Sequence, residues 1–166
     1  MKKSEVRAIT RAGAIAALYV ALTYLSFLVG LSSGAIQLRL SEMLCVLPAF
    51  IPEAAVALYI GCLLANLLTG GSILDILLGS LATLIGAFFA RRLRKTEKPM
   101  LIALPTVIAN ALIVPLVIIL SAGSEQTLAA FPYLALTVGI GEFLSAAVLG
   151  TLLYKIIKKH NLFKEL

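Results

Sequence analysis

The chain has 166 residues, 61% of them hydrophobic and 13% charged, with a mean hydropathy of +1.05, where an ordinary soluble domain carries about 25% charge. That composition excludes a water-soluble globule and points to a membrane protein. The 14 Lys and Arg exceed the 8 Asp and Glu by a net charge of +6, but they do not form one nucleic-acid-binding face. They fall in three clusters, Lys2, Lys3, Arg7 and Arg11; Arg91, Arg92, Arg94, Lys95 and Lys98; and Lys155, Lys158, Lys159 and Lys164, leaving only Arg39 apart. Long uncharged stretches separate the clusters, so the basicity reads as membrane topology and no nucleic-acid partner is expected.

A helix crosses about 30 Å of hydrocarbon with about 20 apolar residues. Six such spans are expected, at 12–29, 39–51, 54–68, 73–90, 100–120 and 131–154. Gly30 with Ser32, Ser33 and Gly34, then Pro52, then Thr69 to Ser72 mark the turns. The second span has 13 residues and reaches only about 20 Å, so by length it could be a re-entrant segment. The basic clusters decide for a crossing. Positive residues favour the cytoplasm, and an even number of crossings must separate the first cluster from the second. The expectation is an all-α bundle of six transmembrane helices in a single domain over residues 1–166, multi-pass in the cell membrane, with both termini cytoplasmic. A cleaved signal peptide would remove one crossing, but the first apolar run is long for one and the small-residue pattern near Ser32 to Ala35 is weak.

Catalytic signatures are missing. No GxxxxGK[ST] loop, HExxH or GxSxG occurs, so an enzyme is not expected and any ATP hydrolysis belongs to another protein. Cys45 and Cys62 lie in different spans without CxxC spacing, suggesting neither a disulfide framework nor a metal site, and no cofactor is implied. His160 sits in the basic tail.

Ionisable groups near a bilayer centre are costly, and those that remain are functional candidates. At about 1.5 Å per residue, Glu142 rises about 20 Å above the inner boundary near Lys155, and Asn110 about 17 Å above the inner end of its span. Asn66 has the same depth as Glu142, counted from Glu53 at the inner turn. Glu42 and Asp75, with Arg39 and Gln37, fall near the outer starts of their spans. The polar residues therefore crowd the outer half, as a pocket open to the outside would require. Simpler roles remain open at this point: Asn66 and Asn110 as interhelical bridges, Asp75 as a helix-start carboxylate, Arg39 and Glu42 as a local i, i+3 ion pair. Three carboxylates against one arginine make the pocket acidic and favour a cationic ligand rich in hydrogen-bond donors, such as the edge of a guanine-like ring. Phe131, Tyr133 or Phe143 could stack on it or serve as interface anchors.

The first span carries small-xxx-small pairs, Ala12 with Ala16, Gly13 with Ala17, and Ala17 with Ala21. They permit close approach of a helix from the same bundle or from another subunit.

Several segments resemble the substrate-binding S components of energy-coupling factor transporters, and within them the QueT group. They are AIQLRLSEMLCVLPAF (35–50), GCLLANLL (61–68), ILDILLGSLATLIGA (73–87), VIANALIV (107–114) and VGIGEFLSAAVLG (138–150), while the loop from Ser121 to Thr127 does not align. The resemblance implies a six-helix subunit that binds a micronutrient from outside, here a queuosine precursor such as the deazaguanine preQ1. It would work with a transmembrane coupling protein and two ATPase subunits. Glu42, Asn66, Asp75, Asn110 and Glu142 would then form the site, with Arg39 and Gln37 at its mouth, and the AxxxA docking motif would map onto Ala12 and Ala16 or onto Ala17 and Ala21. The alternatives are an S component for another micronutrient and a stand-alone secondary carrier for a cationic small molecule.

Overall fold

The computed structural model describes residues 3–32, 36–122 and 128–163. In chain order it forms α1 (Lys3–Leu28), a 3-10 helix (Leu40–Ala49), α2 (Ala54–Leu68), a π turn (Asp75–Gly79) running into α3 (Ser80–Leu93), and α4 (Pro99–Ser121). The last rod is α5 (Phe131–Glu142), a π segment (Phe143–Leu149) and α6 (Gly150–His160) in direct succession. No strand occurs among the described residues. Each of the six expected spans falls on one helical run. Lys2, Ser33 to Ala35, Lys164 and most of the loop from Ser121 to Thr127 lie outside the described residues.

Four helices, Ser4–Leu28, Asp75–Thr96, Pro99–Ser121 and Leu128–His160, are long and apolar enough to cross a membrane, while Leu40–Ala49 and Ala54–Leu68 are shorter apolar helices. α1 begins before residue 12 and α6 continues past residue 154. Apolar composition marks only the part of a helix in hydrocarbon, and backbone hydrogen bonding carries both helices on into their basic tails. The bundle keeps several polar side chains inside beside its apolar cores and is apolar outside. Glu42, Asn66, Asn110 and Glu142 are buried, whereas Leu18, Phe27, Ile60, Phe88, Leu112 and Leu136 are exposed, the distribution expected where lipid is the solvent.

The 3-10 helix sits at the centre. Its ten residues exceed the usual three or four. Ser41, Glu42, Leu44, Cys45, Val46, Leu47 and Pro48 are all buried, and α1, α2, α3, α4, α6 and the π segment all pack on it. Enclosure on every side replaces the stability its poorer hydrogen-bond geometry lacks. Leu44, Cys45 and Leu47 join Ile15, Tyr19, Leu58 and Ala87 in one core, while Val46 joins Ile102, Val107, Ala146 and Tyr154 in a second.

One end of the bundle is basic. Arg11 pairs with Glu53 at 2.5 Å, Arg91 donates to the Pro48 carbonyl at 3.1 Å, Lys158 meets Glu97 at 2.9 Å, and Phe50 stacks near Phe163. These contacts bring members of all three basic clusters to the same end. At the opposite end α2 closes with Gly70 at φ +77°. There Gly71 N–H donates to the Asn66 carbonyl at 2.8 Å and Gly70 N–H to that of Leu67 at 3.3 Å, a Schellman turn that requires the left-handed glycine.

Candidate ligand-binding cleft

The two π elements locate the site. Asp75 is the first residue of the π turn and Glu142 immediately precedes the π segment. A π turn adds a residue to the helical repeat, rotates the side chains beyond it, and occurs frequently at functional sites. Both carboxylates face one narrow cleft at the end remote from the basic clusters.

Six of the seven polar residues expected to bind substrate line that cleft: Gln37, Arg39, Glu42, Asp75, Asn110 and Glu142. Gly79, Thr83, Val114 and Val138 complete it. Sequence reasoning passed over these four, although helix periodicity indicated them. Gly79 and Thr83 follow Asp75 at i+4 and i+8, Val114 follows Asn110 at i+4, and Val138 precedes Glu142 by four, each on the same helix face. Phe131, Tyr133 and Phe143 are not among the lining residues; Tyr133 and Phe143 are exposed. The apolar wall is aliphatic.

The seventh residue, Asn66, lies one layer behind. Its Oδ1 accepts from Arg39 Nη1 at 3.0 Å, and its Nδ2 donates to the Asp75 backbone carbonyl at 3.1 Å and to Cys62 Sγ at 3.6 Å. One amide thus fixes the cationic side chain and the start of the π turn together. Arg39 and Glu42 are not joined as a local pair by any salt bridge among the described residues. Glu42 Oε1 instead accepts the Tyr19 hydroxyl, and Oε2 accepts the Cys45 thiol at 3.1 Å.

An extended strap, residues 36–39, crosses the mouth. Leu38 N–H donates to the Leu31 carbonyl at 2.8 Å and Leu40 N–H to Ser26 Oγ at 2.9 Å. Thr23 Oγ1 bonds Ser41 Oγ at 2.7 Å. Tyr19, Thr23 and Ser26 therefore tie one face of α1 to the segment that delivers Arg39 and Glu42. The free interior of the cleft is about 20 Å³, on a measure where one water needs about 10–15 Å³. A shallower space of about 200 Å³ adjoins it, lined by Phe27, Ser32, Thr69 and Gly70 and sharing Gln37, Arg39 and Asp75.

Among the described residues no cluster of three His, Cys, Asp or Glu is placed to hold a metal ion. The arrangement suits non-covalent capture of a small polar ligand: carboxylates for cations and N–H groups, amides for mixed edges, one guanidinium held sideways.

The family described as QueT transporter matches residues 9–159. The Queuosine precursor transporter QueT of Lactococcus lactis subsp. cremoris (strain MG1363) is 40% identical over 85 residues, 51% of this chain and 50% of that protein. The alignment thus spans about half the length of that relative. No solved structure matches. The family match covers the helical bundle and every cleft residue, and the chain belongs to the QueT transporter family.

Proposed function

We propose that the chain is the substrate-binding membrane subunit, or S component, of an energy-coupling factor importer, and that its ligand is a queuosine precursor of the deazaguanine type such as preQ1. The observation that carries this reading is the convergence of Glu42, Asp75, Glu142, Asn110, Gln37 and Arg39 on one cleft. With carboxylates in excess, the cleft suits an aminomethyl cation and the adjacent N–H donors of a guanine-like edge. The L. lactis relative, whose printed name is that of a queuosine precursor transporter, supports the same ligand class.

Orientation follows from charge. With members of the three basic clusters gathered at one end, the positive-inside rule puts that end and both termini in the cytoplasm. The cleft then faces out across the cell membrane. Transport requires energy from elsewhere, and a transmembrane coupling protein with two ATPase subunits supplies it. α1 offers the docking face. The Ala16 backbone lies against Gly61 of α2, and Gly13, Ala16, Ala17 and Ala21 line an apolar groove of about 850 Å³ completed by Ile60, Leu64 and Leu67. The groove favours the Ala17 and Ala21 register for docking, since both are exposed along it, while Ala12 packs partly against the core.

The test is equilibrium binding of labelled preQ1 to the detergent-purified chain, with guanine and biotin as competitors. Saturable binding that biotin does not displace supports the reading. Absence of binding by a chain whose helical circular dichroism is intact overturns the ligand assignment. Uptake into liposomes by this chain alone, driven by a proton or sodium gradient, overturns the importer-subunit assignment in favour of a stand-alone carrier.

A further inference from the structure

The three carboxylates of the cleft are not equivalent. Glu42 has both oxygens engaged, one by Tyr19 and the other by Cys45. Asp75 is half-buried beside the shallower adjoining space. Glu142 is 7% exposed, and its Oε2 has no hydrogen-bond partner among the described residues. Arg39, the one basic side chain lining the cleft among the described residues, is turned to Asn66.

The charged and titratable groups facing Glu142 can be named element by element. The 3-10 helix presents Glu42 and Cys45, the strap presents Arg39, and the π turn presents Asp75. Behind Glu42 stands Tyr19 of α1. α4 contributes the neutral Asn110, whose side chain is a hydrogen-bond partner of the Glu142 carboxyl. Thus two further carboxylates outnumber the one guanidinium, which also bonds Asn66, around a carboxyl group whose Oε2 has no hydrogen-bond partner among the described residues, beside the aliphatic walls of Val114 and Val138. A carboxylate charge in such surroundings, with like charges in excess, costs more than the neutral acid.

We infer that the site exchanges a proton for its cation. Glu142 meets the ligand as the neutral acid. The Glu142 O–H bond breaks, the proton leaves to water, and the electron pair stays on the carboxylate, which pairs with the ligand's ammonium group. The step balances, one cation in and one proton out, and needs no other reactant. It rests on the proposed cationic ligand and adds the protonic bookkeeping of its capture.

Linkage sets the sign. Proton release on binding makes affinity rise with pH, by up to tenfold per unit, until Glu142 ionises in the ligand-free protein and no proton remains to release; affinity falls again only where the ligand's amine loses its own proton, near the usual ~10.4 of a primary ammonium. The test is calorimetric titration of the full chain in detergent with preQ1, at one pH in buffers of different ionisation enthalpy. Infrared difference spectra of the ligand-free protein accompany it, and circular dichroism confirms folding of the variant. The expected result is about one proton released per preQ1 bound, and a carboxylic-acid carbonyl band in the ligand-free protein that E142Q removes. E142D, which keeps the exchangeable proton, retains the release. Binding of preQ1 with no proton release, or no carboxylic-acid band sensitive to E142Q, overturns the inference while leaving the ligand reading in place. An E142Q-sensitive band without any binding of preQ1 supports the neutral acid and overturns the ligand reading instead.

Discussion

The backbone carbonyl of Gln37 occupies the place where the Cβ of any larger residue at Gly141 would sit, with the Gln37 carbonyl carbon at 3.0 Å and its nitrogen at 3.4 Å from that position. The strap reaches the cleft only because residue 141 has no side chain. Gly141 also directly precedes Glu142, so this single point seats the mouth of the site on the helix that carries the buried carboxyl with one unpartnered oxygen.

Gly141→Ala therefore displaces the strap, and Gln37 and Arg39 with it. The expected outcome is a loss of preQ1 affinity of at least tenfold with a normal helical circular dichroism spectrum. Helix propensity alone favours alanine by about 1 kcal/mol, so unchanged affinity would show that the strap is not seated there when ligand binds.

Tyr19→Phe removes the donor to Glu42 Oε1 and leaves a buried carboxylate oxygen bare. A lost hydrogen bond to a buried charged group costs about 1.5–3 kcal/mol. A fall in thermal midpoint in detergent is expected, accompanied by weaker binding because Glu42 lines the cleft. A thermal shift within error of zero would remove the Tyr19 bond from the stability of the bundle.

Asn66→Ala tests the layer behind the cleft. It frees Arg39 from its sideways anchor and the Asp75 carbonyl from its donor. The guanidinium then turns toward the carboxylates and competes with a cationic ligand. Binding of preQ1 is expected to weaken about tenfold, with partial recovery in Asn66→Gln, measured by the same equilibrium assay.

Ala17→Trp fills the groove on α1 without touching the cleft. Co-purification of the coupling and ATPase subunits should be lost, whereas preQ1 binding by the isolated chain should persist. Retained co-purification would move the docking surface elsewhere.

Topology is tested by single cysteines at Ser72 and Thr96, both exposed and at opposite ends of the bundle. In intact cells a membrane-impermeant thiol reagent should label residue 72, and residue 96 only after permeabilisation. The reverse pattern would invert the bundle in the membrane.

Much of this arrangement was legible from residue type and depth alone. Apolar runs between turn residues give the helices because lipid demands internally bonded backbone. Uncompensated polar side chains give the cleft because each is costly outside one. What depth does not give is azimuth. Asn66 and Asn110 have similar heights, yet one faces Arg39 from behind and the other lines the cleft. The π turns lie outside simple 3.6-residue periodicity, and so does the 3-10 hydrogen bonding of Leu40–Ala49. Nothing local to Tyr19 in the sequence shows that a residue 23 positions later in the chain, Glu42, will meet its hydroxyl.

The unusual length of the central 3-10 helix gives it a metric role. At about 2.0 Å per residue its ten residues extend about 20 Å, whereas the same residues wound as α-helix would extend about 15 Å. Rewinding would therefore shorten the distance between Arg39 at one end and Phe50 at the other by about 5 Å. The segment is a spacer whose pitch sets how far the cleft stands from the Arg11 to Glu53 pair, and a change of pitch there would register at the cleft and at the basic end at once.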